Sequence, residues 1–354
     1  MASNTNVGTL HLSDLAAYKN VSVNSFGLDR VTDVVKRELA AHNQLVNEQI
    51  AQYCEITTDS QRGSDLPSSG EMVLSDEYSR VSTKKAAESA NVAFPLYQFQ
   101  QAIGWTAEWF DQHTPADMAK AFNGVQLAHI RTMQTELKKS LYRSANYSHR
   151  DQLNRNVTLS IKRFYNADGD PIPDSPGGTA FSGSTHTHYT AAALSAANLT
   201  ALISNVLEHG GVEGVQLVIN GANEAAVRAL TGFNAYMDPR LAVTPATTGT
   251  PRSTLDIYNA TNRAIGLFGA AEVWVKPWAF ADYAVVIATK SSDKPLAFRE
   301  RSMGNRGGLY LAASLPTFPL YAEYFKAEFG IAANARANCA VLDFTGGGIY
   351  TDPL

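Results

Sequence analysis

Cysteine is almost missing from this chain of 354 residues: Cys54 and Cys339 are the only two, and they lie far apart. That excludes a disulfide-built scaffold and points to two free thiols in a reducing compartment. Long apolar runs are missing too. No window approaches the roughly 18 apolar residues that span a bilayer, and the polar start MASNTNVGTLHLSD has neither half of a secretory leader. A cytoplasmic protein without a membrane partner is expected, in which the sequon Asn156-Val157-Thr158 carries no glycan. Charge of one sign is not in excess: 33 acidic and 29 basic side chains leave a net −4. This argues against a nucleic-acid binder that works by bulk charge. The short signatures of catalysis are absent as well, with no HExxH, no paired Cys-x-x-Cys, no Gly-x-Ser-x-Gly elbow and no phosphate or dinucleotide loop.

What is present describes a folded protein. Hydrophobic residues make up 45% and charged residues 18%, ordinary values for a globular chain. At this length the core is expected to split between two subdomains. Residues 1–29 read as an irregular arm, and Asp29 to Tyr53 as a helix, with Val31, Val34, Val35, Leu39, Leu45, Val46 and Ile50 at mostly helical spacing. Residues 52–94 read differently. Their polar, turn-rich TTDSQRGSDLPSSG and the following EMVLSDEYSRVSTKK hold too few apolar residues for a core, so they form an extended excursion. Strongly apolar VAFPLYQFQQAIGWTAEWF anchors its base.

Thr114-Pro115-Ala116-Asp117 is a helix start: a capping threonine, proline in the first helical position and a carboxylate in the first turn. Met118, Phe122, Val125, His129, Met133, Leu137 and Leu141 then recur at steps of three or four, marking one long spine helix. Gly124 inside it suggests a close crossing or bend. Asn156 to Tyr165 alternates like a strand, and Ser195 and Gly210 frame a second helix. Strand-like GVQLVIN and helical NEAAVRALTGF follow, suggesting an α/β subdomain over about 165–265. Ser253 to Asp256 reads as the cap of a helix ending near Gly266. EVWVKP, YAVVIAT and CAVLDF read as strands, and LYAEYFKAEFG as an aromatic helix.

Candidate chemistry is sparse. His186-Thr187-His188 puts two imidazoles on one face of an extended segment, a zinc-binding pattern. It lacks a third ligand in its sequence neighbourhood, so no metal is expected, and a metal-dependent hydrolase is the weaker competing class. Asn166-Ala167-Asp168-Gly169-Asp170 opens like a calcium loop but lacks the glutamate at position twelve, so a turn is expected. His129, on the spine's apolar stripe, is expected to be a hydrogen-bonded core or interface residue. No catalytic residue and no cofactor are expected. From Glu136 to Arg163, Lys138, Lys139, Arg143, Arg150, Arg155, Lys162 and Arg163 face only Glu136 and Asp151. That local positive excess is a solvated face or a phosphate-facing surface.

In this order of parts the chain resembles the major capsid proteins of tailed bacteriophages. The wording is similar as well: Val92-Ala93-Phe94-Pro95-Leu96 with Gly104-Trp105-Thr106, Phe164 to Gly169 with Pro171 to Pro173, and His186-Thr187-His188-Tyr189. Lys294-Pro295-Leu296, Arg299-Glu300, Gly307-Gly308-Leu309 and Tyr350 to Pro353 complete it. The resemblance implies an α+β Hong Kong 97-type capsid fold. Its parts would be an N-terminal arm and helix (1–51), an extended loop (52–94), a peripheral domain with the spine helix (95–164), an α/β axial domain (165–265) and a return to both sheets (266–354).

The function implied is structural: self-assembly of hexamers and pentamers into an icosahedral shell around double-stranded phage DNA, in a virion assembled in the host cytoplasm. An encapsulin-like compartment shell is the alternative. Portal, scaffolding or decoration proteins would be further partners. Candidate contacts between subunits are Met72, Leu74, Tyr78, Arg80, Lys84 and Lys85 on the loop, with Arg299, Arg301 and Arg306. Candidate residues facing packaged DNA, bound non-specifically, are Lys138, Lys139, Arg143, Arg150 and Arg155.

Overall fold

A computed structural model describes residues 14–64, 72, 74–78, 80, 90–236, 262–301 and 307–354. Its spine is the helix Pro115–Tyr142. The start is fixed locally, because the Asp117 carboxylate accepts hydrogen bonds from the Thr114 N–H at 3.3 Å and the Thr114 hydroxyl at 2.9 Å. The same carboxylate meets the positive end of the helix dipole. Met118, Phe122, Val125, His129, Met133 and Leu141 are buried in one stripe. The stripe lies on a five-stranded sheet: the Phe122 and Phe325 rings are 5.7 Å apart, as are His129 and Phe329, and the Ser140 hydroxyl donates to the Ile331 carbonyl at 2.7 Å. The helix Leu28–Ile50 packs on the spine's other flank through His42, whose Nε2 is 3.0 Å from His129 Nδ1. His129 is thus a hydrogen-bonded core residue.

The centre of that sheet is the strand Leu320–Ala333, antiparallel to Tyr97–Thr106 on one edge and to Leu309–Thr317 and then Leu296–Glu300 on the other. Cys54–Thr57 adds a parallel strand outside Leu296–Glu300. The segment LYAEYFKAEFG is therefore a strand, not the helix expected from its sequence. Tyr321, Phe325 and Phe329 recur every four residues, a step that serves one face of a helix and, being even, one face of a strand. Ladders on both edges decide between them.

A seven-stranded sheet runs in the order Tyr189–Ala191, Cys339–Asp343, Tyr283–Ser291, Val212–Ile219, Ala271–Val275, Arg263–Phe268, Phe233–Ala235. Its central strands are apolar on both faces. Leu217, Ile219, Ala284, Val286 and Leu342 pack against Leu199, Leu202, Ile203 and Val206 of the helix Ala196–Leu207. Their neighbours Val218, Val285, Ile287 and Val341 turn into the core that holds the spine. That is the near-continuous apolar pattern expected of a doubly covered sheet. The expected helix after Ser253 lies mostly outside the described residues, and its proposed end near Gly266 falls in the strand Arg263–Phe268. NEAAVRALTGF keeps only the short helix Glu224–Arg228 before turning into Phe233–Ala235.

The excursion is shorter than 52–94. Tyr53, Cys54, Val92, Ala93 and Phe94 are core residues, and Gln61–Ser64 pairs antiparallel with Ala90–Ala93. Phe94 packs with Leu159, Ile161, Ala297 and Ala332. A second ribbon, Tyr147–Asp151 with Val157–Ile161, lies beside it. Gly124 marks no crossing among the described residues, since a Cβ there would meet none of them within 4 Å.

Candidate functional site

Two kinds of site were expected, contacts between subunits and a DNA-facing surface. Met72, Leu74 and Tyr78 are 102%, 99% and 93% exposed, and Arg80 is exposed beside them. Lys84, Lys85 and Arg306 lie outside the described residues. Arg299 is a correction. It is buried within its own chain, 2.7 Å from the buried Asp151 carboxylate and 2.8 Å from the Phe94 carbonyl that its guanidinium donates to. Its strand alternation was legible, but the partner 148 residues away was not. Arg301 likewise pairs within the chain, with Glu328 at 2.8 Å.

The positive excess after Glu136 is also partly consumed internally. Lys139 pairs with Glu136 at 2.7 Å, Lys138 sits 5.0 Å from the Phe280 ring centre, and buried Arg163 lies over Tyr147. Lys162 and Arg336 hold Asp168 and Asp170 in an ion-pair cluster with distances of 2.6 to 3.0 Å. Burial alone would raise the Asp168 pKa, but hydrogen bonds from Lys162 and Arg336 outweigh it and hold the group at about 2. This accounts for the Asn166–Asp170 turn without calcium. Arg150 and Arg155 are exposed, and Arg143 is half-buried.

An arrangement not expected from the sequence surrounds the His186–His188 pair. The helix Ala196–Leu207 ends at Glu208, and Gly210 and Gly211, both in the left-handed region at φ 74° and 71°, reverse the chain there. That brings Glu208 and His209 to the two histidines. The Nε2 atoms of His186, His188 and His209 lie 3.1 to 3.2 Å from one another. Glu208 Oε1 is 3.5 Å from His186 Nε2 and 3.8 Å from His209 Nε2. Phe181 covers His186 and His209 with ring centres 4.9 and 4.5 Å away, and Tyr165 lies 5.6 Å from His188. Burial lowers all three imidazoles, His188 to about 3 and His209 to about 4. The premise that the histidine pair lacks further ligands is therefore corrected. Helix–strand packing, not sequence spacing, supplies them.

Neither a protein-family model nor a curated protein sequence matches the chain. Among solved structures, one named "Mycobacterium phage Patience" superposes with a TM-score of 0.66 at 17% identity, covering 100% of this chain and 97% of that one. A structure named "Capsid of native GTA particle computed with C5 symmetry" gives 0.48 at 13% identity, over 83% and 89%. The holo-SrpI encapsulin complex from Synechococcus elongatus PCC 7942 gives 0.43 at 9%, over 87% and 89%. The last two are too distant to carry an argument. The first shares the whole architecture: the chain has the fold of that phage structure, an α+β arrangement whose parts follow the order of the Hong Kong 97-type fold that its sequence resembles. Among the described residues no helix is long and apolar enough to cross a membrane.

Proposed function

We propose that this chain is a structural major capsid protein, many copies of which assemble into an icosahedral shell around double-stranded phage DNA. The observation that carries the reading is the near-complete exposure of Met72, Leu74 and Tyr78 on an excursion whose base is built into the core. Large apolar side chains displayed together need a covering surface, and a neighbouring copy of the same chain supplies it once per subunit. The tip of the Leu309–Ala333 hairpin adds Leu315, Phe318 and Leu320, which are 53%, 83% and 59% exposed. The fold shared with the phage structure supports the same reading, although fold alone does not assign function.

The proposal includes the division into an arm and helix (1–51), an extended loop that lies within 52–94 with its two ends built into the core, a peripheral part (95–164), an axial part (165–265) and a return (266–354). Hexamers and pentamers are its assembly units, with portal, scaffolding or decoration proteins as partners in a virion built in the host cytoplasm. Arg150 and Arg155, with Arg143, are the side chains best placed to face DNA, and their contact would be non-specific and salt-sensitive. Met72, Leu74, Tyr78, Arg80, Lys84 and Lys85 would meet the neighbouring subunit. No catalytic role is assigned. The test is expression of the chain followed by sedimentation and electron microscopy. Closed shells with five-fold and six-fold capsomers are expected, and a persistent monomer at every concentration and salt tried would overturn the reading.

A further inference from the structure

The tautomers of the histidine cluster can be worked out from its outer partners. His188 Nδ1 lies 2.8 Å from the Cys339 carbonyl, and His209 Nδ1 lies 3.2 Å from the Pro173 carbonyl. A carbonyl only accepts, so both Nδ1 atoms carry the proton and donate it. With Nδ1 as the donor in each ring, both Nε2 atoms turn their lone pairs inward. They face each other at 3.2 Å, and each is 3.1 Å from Nε2 of His186. His186 has one Nε2–H to offer at most, so at least one pair of lone pairs confronts the other with no proton between them. Glu208 adds a carboxyl oxygen to the same spot, and among the described residues its Oε1 is buried without a hydrogen-bond partner. Four ligand atoms within 4.8 Å of one another are placed as a cation site requires.

The spacing says which kind. Zinc–nitrogen bonds of about 2.0 to 2.1 Å around a tetrahedral centre put the ligand atoms about 3.3 Å apart. The three nitrogen–nitrogen edges are 3.1, 3.1 and 3.2 Å, two of the three edges to Glu208 are 3.5 and 3.8 Å, and the third, to His188, lies within 4.8 Å, so that a small turn of the Glu208 side chain completes the tetrahedron. Imidazole donors select transition metals over magnesium or calcium. Outer carbonyls that orient the rings, here of Cys339 and Pro173, are the usual support of histidine ligands.

We propose that His186, His188, His209 and Glu208 form a closed N3O site for a divalent transition-metal ion of the zinc class. All four positions of the tetrahedron are protein ligands, which is the mark of a structural and not a catalytic site. The ion would staple the segment entering Tyr189–Ala191 to the C-terminal end of the helix Ala196–Leu207. Through the two carbonyls it would also brace Cys339 and Pro173. The proposal stands apart from the shell reading, because every ligand comes from one chain.

The test uses the full-length protein, stripped with a chelator and then titrated with zinc chloride or cobalt chloride. One bound zinc per chain by elemental analysis after dialysis is expected, with a raised thermal midpoint and the visible absorption of tetrahedral cobalt. His186→Ala removes the most exposed of the three rings and should leave a folded protein. It should weaken zinc binding by more than the roughly 10- to 100-fold that loss of an outer partner costs. Glu208→Gln should weaken it less, and His113→Ala, away from the cluster, should leave binding unchanged. Substoichiometric zinc in the parent, or equal binding by parent and His186→Ala, would overturn the proposal. Shell formation is scored separately by microscopy, so a metal-free shell overturns only the metal site. A zinc-loaded chain that never assembles supports the site and overturns only the shell.

Discussion

Glu323 sits on the central strand Leu320–Ala333 with 4% of its surface exposed, and its Oε2 has no hydrogen-bond partner among the described residues. Burial raises its pKa from 4.5 to about 7, against a smaller opposing pull from Lys36. The folded state therefore prefers the protonated acid. The resulting penalty is absent below about pH 4.5, grows as pH rises through the interval to 7, and is complete above it. Glu323→Gln should stabilise the subunit by on the order of 1 to 3 kcal/mol at pH 8 and change little near pH 4.5. Urea denaturation of both proteins at the two pH values checks this, and an equal gain at both would sink it. Other residue-scale features depend on partners far away in sequence. Arg299 looked like a surface cation until Asp151 and the Phe94 carbonyl enclosed it. Breaking such a buried pair from one side costs about 3 to 5 kcal/mol, which is why its place is fixed by packing. His209, 21 residues from His188, had no motif to announce it.

At the scale of elements, those with strong local signals were legible. The spine needed only its Thr114–Asp117 start and one unbroken stripe, and the helix Ala196–Leu207 needed only Ser195, whose hydroxyl accepts the Asn198 N–H. Gly124 tests whether the spine is free on its outer side. It is exposed, and a Cβ there would meet none of the described residues within 4 Å. Gly124→Ala should therefore stabilise the isolated subunit by about 1 kcal/mol, the difference in helix propensity. A higher urea midpoint with unchanged slope is the expected readout, whereas a lower midpoint would show that the helix is strained there. If a neighbouring subunit crosses at this point, the more stable variant will assemble poorly. The strand Leu320–Ala333 and the strand Arg263–Phe268 had no such local signal. Their sequences suit a helix and a strand alike, and cross-strand partners made the choice.

For the whole molecule, the ribbon Gln61–Ser64 with Ala90–Ala93 gives a clean place to separate folding from assembly. Ser64 is paired with Ala90, so residues 65–89 can be deleted and the ends joined by a short Gly-containing turn that suits a hairpin. The deleted protein should keep its circular dichroism and its stability within about 0.5 kcal/mol, since the segment's sequence holds too few apolar residues to add to a core. It should also fail to form closed shells by sedimentation and microscopy. Normal shells would show that the excursion does not hold subunits together, and an unfolded product would show that it belongs to the core. The amino-acid sequence by itself determined the elements whose causes lie within a few residues: the spine, the helix capped by Ser195, the apolar strands of the seven-stranded sheet, and an excursion too polar to pack. Through the order of these parts it also determined the fold. Tertiary structure alone decided which charges are buried, where the excursion begins, whether an evenly spaced aromatic run is helix or strand, and that three histidines and a glutamate converge. Each of those depends on atoms brought together from distant parts of the chain, and no local propensity or spacing encodes such a meeting.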